Sequence, residues 1–371
     1  MAYDYASDSK SSPGFTRNEL LTAVEAFLDY DTSWTVLQAI SPTAGEGDTP
    51  ATSDYSVIQK TNGTPTEDVV VHLWKGSDVS GINCIGLNTS TGYTADTNWY
   101  NQPGARFGRG NGVNARTAVY TRCTHTSDNI VEYHLFGYPE YVYCVFKTSA
   151  GIWRNFGFGH TNKLSNFVGG GFTCGSYCSY DDVYEDVANT GGYTQFFDMY
   201  TTSGSSTDMR HCQQLRIDEQ GSPGDLRYGV VSHRITSFPN DASVYGVNDG
   251  WVCSGQAYSN YSTFYNGGDL AGFEHDKMLR APSAFSLTSP LIPVYVYFST
   301  DFTTKYRSLV GTLPNVFMLN IKSLAETQEI TIQGETYTVF PASRKSTTTN
   351  TGDNLPNSYY WGFCMLKKIE A

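Results

Sequence analysis

Charge is scarce in this chain. Charged residues make up 16% of its 371 positions, against ~25% in an ordinary globular protein. Basic residues are the scarcer kind. The 24 Lys and Arg stand against 36 Asp and Glu, giving a net charge of −12. No basic cluster is present, which argues against a nucleic-acid face. Long hydrophobic runs are missing too. None approaches the ~20 apolar residues that a membrane-spanning helix needs. The opening MAYDYASDSKSSPGF has no apolar centre and does not read as a signal peptide. The chain also lacks HExxH, G-x-S-x-G, a Walker loop and the kinase motif set. The expectation is a non-enzyme, made in a cytoplasm and soluble until it assembles. No catalytic, cofactor-binding or metal-binding residue is assigned.

Aromatic residues and glycine are abundant. Aromatics reach 14%, with 27 Tyr, and there are 36 Gly. That balance favours short strands and tight turns over helices. Low charge on so long a chain also fits a surface covered by other subunits. An extracellular-type β protein would share the composition.

The eight cysteines are Cys84, Cys123, Cys144, Cys174, Cys178, Cys212, Cys253 and Cys364. Without a secretory signal they are expected to be reduced. Cys144 falls mid-strand and reads as a small core residue. Cys174 and Cys178 form the one close pair, and His211 with Cys212 could complete a zinc site. Their spacing is looser than C-x2-C, and His211 and Cys212 are adjacent, so ordinary core cysteines are the better reading. Asp181, Asp182, Glu185 and Asp186 could attract calcium, but they lack a glycine-centred ligand spacing and read as a solvated loop. His160, after Phe156-Gly157-Phe158-Gly159, is placed like a general base, yet no nucleophile accompanies it. It reads as a structural histidine. His275 between Glu274 and Asp276 reads as an exposed turn.

Taken in order, residues 1–16 read as a flexible arm. Leu20, Leu21, Val24, Phe27 and Leu28 recur at helical spacing, with Thr16 or Asn18 as the cap. Strands are predicted over Trp34 to Ile40, Tyr55 to Lys60, Val69 to Trp74, Cys84 to Leu87 and Arg116 to Cys123. Asn62-Gly63 marks a turn. Gly108-Arg109-Gly110-Asn111-Gly112 reads as a plain loop. From Val131 to Phe172 come three apolar-aromatic strands: Ile130 to Phe136, Tyr141 to Lys147, and Ile152 to Phe158, the last broken by Gly157 and Gly159. Their alternation predicts a half-buried antiparallel meander. Later strands are predicted over Tyr228 to Ile235, Leu291 to Phe298, Leu309 to Pro314, Val316 to Ile321 and Tyr359 to Lys368. Glu329 to Ile332 and Thr336 to Phe340 form a predicted hairpin.

Three stretches carry a resemblance. They are YHLFGYPEYVYCVFKTSAGIWRNFGFGHTNKLSNFVGGGF, ending at Phe172; the segment from Gly92 to Gly104 with Trp99 and Gln102-Pro103-Gly104; and VGTLPNVFMLNIKSL with ITIQGETYTVFPASRKS and YYWGFCMLKK. Each resembles segments of structural proteins of tailed bacteriophages. Phe363-Cys364 stands where that group has a small residue. Residues 175–285 carry no such likeness.

The resemblance implies a virion component of tail or baseplate type, made in the bacterial host cytoplasm. Its partners would be copies of itself and other virion proteins. The alternative is a receptor- or carbohydrate-binding module on the virion, with Trp251 and the Tyr-rich middle region stacking on a host surface glycan. A glycan depolymerase is the third reading. The fold class follows from the residues: mostly β, antiparallel sheets in a sandwich or barrel-like arrangement, one N-terminal helix and long irregular loops. The predicted divisions are an arm (1–16), a helix plus β body (17–173), an inserted loop-rich region or small β domain (174–290), and C-terminal strands completing the body (291–371).

Overall fold

The computed structural model describes residues 4–28, 34–47, 50–61, 68–77, 83–103, 121–124, 129–149, 151–164, 168–176, 213–218, 228–231, 251–254, 290–299, 308–321, 323–341 and 361–367. These residues form antiparallel β-sheets, with a single α-helix among them. The predicted mostly-β, sandwich-like class holds, and among the described residues no sheet closes into a barrel.

The first strand is β1 (Asp4–Ser9), so the expected flexible arm does not hold over this stretch. It pairs antiparallel in the register Tyr5 to Phe136 and Ser9 to Glu132. The polar sequence DYASDS hid it, because only Tyr5 and Ala6 turn apolar surface toward the body. The helix α1 (Arg17–Leu28) follows. Its start is a capping box: Thr16 Oγ1 accepts the Glu19 N–H at 3.2 Å, and Glu19 accepts the Thr16 N–H at 2.7 Å. Lys10 adds an ion pair to the same carboxylate at 2.8 Å. These bonds, the one from Lys10 foremost, hold the Glu19 carboxyl down at about 2.

Next comes a five-stranded meander, β2 (Trp34–Gln38), β3 (Tyr55–Lys60), β4 (Val69–Ser77), β5 (Asn83–Ser90) and β6 (Thr121–Thr124). We call it the helix-side sheet, because Leu20, Leu21, Val24 and Leu28 of α1 share a core with Ile58, Val71, Leu73 and Ile85. Buried Arg17 fastens the helix to this sheet. Its guanidinium donates to the Gly76 and Cys84 carbonyls and to Asn83 Oδ1, and it pairs with Glu46 at 2.6 Å. The Asn62-Gly63 turn, the glycine loop at 108–112 and the Arg116 end of the predicted strand lie outside the described residues.

The central sheet holds β1 and then β7 (Ile130–Gly137), β8 (Tyr141–Thr148), β9 (Trp153–His160), β11 (Val168–Gly175), β12 (Gln213–Asp218) and β13 (Tyr228–Val231), in that order. The C-terminal sheet runs β14 (Trp251–Ser254), β15 (Ile292–Ser299), β16 (Ser308–Asn320), β19 (Trp361–Lys367), β18 (Glu335–Pro341) and β17 (Glu329–Ile332). The two-residue β10 (Asn162–Lys163) pairs with β16. The chain after β9 thus crosses into the C-terminal sheet and returns as β11.

The meander of β7, β8 and β9 is expected to be half-buried, and here the structure differs. On β8, Tyr141, Tyr143 and Val145 pack with Ile292, Val316, Phe340 and Phe363 of the C-terminal sheet. The alternate residues Val142, Cys144 and Phe146 pack with the helix-side sheet. Three β layers therefore stack, and the middle one meets apolar partners on both faces. Alternation between Tyr and aliphatic residues marks two chemically different cores, not an inside and an outside.

Gly157 and Gly159 do not break the third strand, which runs on to His160. They make room. A Cβ on Gly157 would lie 2.7 Å from the Tyr141 ring and 2.8 Å from the Tyr143 ring. Gly159 takes φ +142, and its Cβ would meet the Glu140 carbonyl. Nor is there a turn between Leu309 and Ile321. One strand, β16, spans both predicted pieces and bends at Asn315, with φ 56. The hairpin of β17 and β18 is as expected. Gln333 and Gly334 both have positive φ, 55 and 86, as a two-residue I′ turn requires.

Where it is described, the middle region adds to the body's own sheets. β12 and β13 extend the central sheet, and β14 pairs with β15. The rest of 174–290, expected as an inserted loop-rich region or small β domain, lies outside the described residues apart from 174–176 and 290.

Candidate functional site

The most connected group of polar side chains lies where β1 closes the central sheet against the C-terminal sheet. Glu132 and His134 are two apart on β7, so they share a face. The Tyr5 hydroxyl lies 2.8 Å from His134 Nδ1, and His134 Nε2 lies 2.9 Å from Glu132 Oε1. An ionised carboxylate only accepts, so Nε2 carries the proton and Nδ1 accepts from Tyr5 in the neutral ring. The hydrogen bond from His134 pulls the Glu132 carboxyl below the ordinary range, and nearby Lys147 adds to this; burial opposes both.

Aromatic rings hold this chain in place. Phe340 lies edge-on to His134 at 5.0 Å and to Trp153 at 5.3 Å. Tyr5 packs on Phe136 at 5.1 Å. Two ion pairs flank the group. Lys147 meets Glu326 at 2.6 Å and Lys367 meets Glu329 at 2.5 Å. Lys367 Nζ also sits 4.3 Å from the Tyr5 ring centroid, and Lys147 Nζ 5.3 Å from that of Trp153. Residues from seven strands and from the turn before β17 therefore converge on one seam.

Chemically, a histidine between a carboxylate and a hydroxyl is the arrangement that activates a nucleophile. Here the hydroxyl belongs to a strand that the histidine itself holds down, and aromatic rings occupy the space around the imidazole. The seam joins the first described strand to the last.

Away from it, tyrosine hydroxyls bridge the layers. Tyr138 donates to the Leu366 carbonyl at 2.7 Å and Tyr143 to the Pro314 carbonyl at 3.0 Å. Tyr141 lies 3.4 Å from Cys174 Sγ. Burial pushes the Cys174 thiol up to about 12 and raises the Cys144 thiol strongly. Both are core residues, and Cys84, Cys123 and Cys364 are buried free thiols as well. A surface cleft of about 800 Å³ lies beside the start of α1, lined in part by Phe15, Arg17, Glu46, Lys75 and Tyr133.

The structure separates the residues that sequence singled out. His160 is buried at the end of β9, where the chain leaves for the C-terminal sheet. Cys174 is sealed between sheets. Cys178, His211, Cys212, the acidic group from Asp181 to Asp186, and His275 with its neighbours lie outside the described residues. The backbone of Trp251 lies in β14. Among the described residues, no three of His, Cys, Asp and Glu gather as a metal site would require. None of their helices is long and apolar enough to cross a membrane. Sequence reading missed the seam because Tyr5 stood in the supposed arm. The i, i+2 spacing of Glu132 and His134 was its visible sign. No protein-family model matches the chain, and no curated protein matches it.

Proposed function

We propose that this protein is a structural component of a tailed-phage virion, in its tail or baseplate, and that it works without catalysis through contacts between subunits. One observation supports the reading above others. Described residues of two of the stretches that carry the resemblance, Tyr133 to Phe172 and Val310 to Lys368, pack face to face. Tyr143, Trp153 and Phe172 of the first share a core with Val316, Phe340 and Phe363 of the second. Two of the three stretches of similarity therefore meet in one core. The buried use of polar groups fits the same reading. Tyr5, His134 and Glu132 fasten a strand, and Arg17 fastens a helix, as a rigid part requires.

Size-exclusion chromatography with light scattering, over a range of protein concentrations, tests the proposal. A defined ring-sized or trimeric species is expected. A strict monomer at every concentration, together with absence of the protein from purified particles, would overturn it.

A further inference from the structure

The cleft beside α1 has a wall built on a buried cation. Its volume is about 800 Å³, and sites for small molecules span about 300–1,000 Å³. Parts of the chain distant in sequence form it: the start of α1, the loop after β2, β4, and the starts of β5 and β7. Arg17 is 8% exposed and donates through Nη1 to the Gly76 and Cys84 carbonyls. Its Nη2 serves the cleft wall instead. That nitrogen donates to Asn83 Oδ1 at 2.9 Å and meets Glu46 Oε1 at 2.6 Å.

Both of these partners line the cleft. One guanidinium nitrogen thus fixes a carboxamide and a carboxylate side by side. Each is held by one oxygen only. Asn83 keeps its NH2 group as a donor, and Glu46 keeps Oε2 as an acceptor. The Glu46 side chain is 50% exposed, so that acceptor is within reach of a ligand. An apolar part of the lining comes from Phe15, Ile130 and Tyr133. Phe15 and Tyr133 meet edge-on at 5.0 Å, and neither is fully buried. The lining charges cancel, with Arg17 and Lys75 against Glu19 and Glu46.

We propose that this cleft binds a neutral saccharide and that Glu46 and Asn83 recognise two adjacent hydroxyl groups of one sugar ring. One hydroxyl donates to Glu46 Oε2, and its neighbour accepts from Asn83 Nδ2. The C–H face of the sugar packs on the wall of Phe15, Ile130 and Tyr133. The chemistry selects this class. Neighbouring hydroxyls supply a donor and an acceptor together, which the held pair requires. An anion would face the Glu46 carboxylate, and a cation would face Arg17 and Lys75. A purely apolar ligand would take water from the carboxylate and return no hydrogen bond. The buried guanidinium fixes the pair before any ligand arrives, which lowers the ordering that binding requires. The inference is independent of the structural role proposed above, because the cleft belongs to the folded chain whatever it assembles with.

Isothermal titration tests it, with neutral trisaccharides of glucose, galactose and N-acetylglucosamine as probes and sialyllactose as the anionic control. At least one neutral probe is expected to bind, with an affinity that does not change between low and physiological salt. Glu46→Ala should weaken that binding by about tenfold or more. Ala26 is exposed on α1 and lines the cleft, so Ala26→Trp should fill the space and abolish binding. Both positions are at the surface, and circular dichroism with thermal melting checks that each variant folds. Absence of binding by every neutral probe overturns the proposal. So does binding confined to sialyllactose, or binding that survives unchanged in Glu46→Ala or in Ala26→Trp.

Discussion

Tyr138 and Tyr143 bury their rings in an apolar core and still satisfy their hydroxyls, because each reaches a main-chain carbonyl in the opposite sheet. A phenylalanine would fill the same space without that tie. Tyr143→Phe is expected to destabilise the protein by about 1–3 kcal/mol, since it leaves the Pro314 carbonyl unpaired. Urea denaturation followed by fluorescence measures it, and an unchanged midpoint would count against the bond. The high tyrosine content, read from sequence as favouring strands, is here also a means of joining layers. Glu132 gives a second residue-scale expectation. Its carboxyl is lowered in the folded protein by His134. The stability it contributes is therefore present above the ordinary carboxylate value and is lost as pH falls through the lowered one. Thermal melts from about pH 7 down to about pH 3 should fall less steeply for Glu132→Gln than for the wild type below about pH 4.5. Equal slopes would show that the His134 bond does not hold this carboxylate.

Strands and helix differ in how plainly the sequence announces them. The helix was visible from Leu20, Leu21, Val24 and Leu28, and its cap was narrowed to Thr16 or Asn18, of which the structure uses Thr16. The strands at Tyr55–Lys60 and Glu329–Ile332 fall where predicted, because turn residues and β-branched residues agree there. Strand β1 was not legible, since its hydrogen bonds are main-chain and its side chains are mostly polar. The third layer was not legible either. A strand buried on both faces can still alternate when its two cores differ in chemistry, as Tyr141 to Phe146 do. The seam was half legible: Glu132 and His134 alternate with Val131, Tyr133 and Leu135 and so share a face, but their partner Tyr5 lies more than a hundred residues away. At this scale the expectation concerns β1. Removing residues 1–9 opens the N–H and C=O row of β7 and takes away Tyr5. The variant should melt earlier and aggregate more steeply with concentration, as an uncovered edge does. Light scattering during heating checks it, and wild-type behaviour would mean that the strand adds nothing.

The described residues stack as three antiparallel sheets, and the chain carries a net charge of −12. Copies of such a chain repel one another at long range. Salt shortens that repulsion to about 10 Å at 0.1 M. If subunit contacts are the protein's work, association should strengthen as salt rises from low values toward physiological ones. Sedimentation velocity at fixed protein concentration measures this. Association that weakens with salt would instead point to contacts made by opposite charges.

The meeting of Tyr5 with Lys367 has a mechanical consequence. A load applied between the two ends of the described chain acts on the seam before it reaches the stacked sheets. The two strands there do not yield alike. β19 lies between β16 and β18 and is gripped on both sides, whereas β1 has a neighbour on one side only among the described strands. A pull away from the sheet peels β1 pair by pair, each step breaking little, while β19 can leave only by breaking two ladders together. Under tension the molecule would surrender its first strand at low force and keep its last, lengthening by one strand before the body gives way.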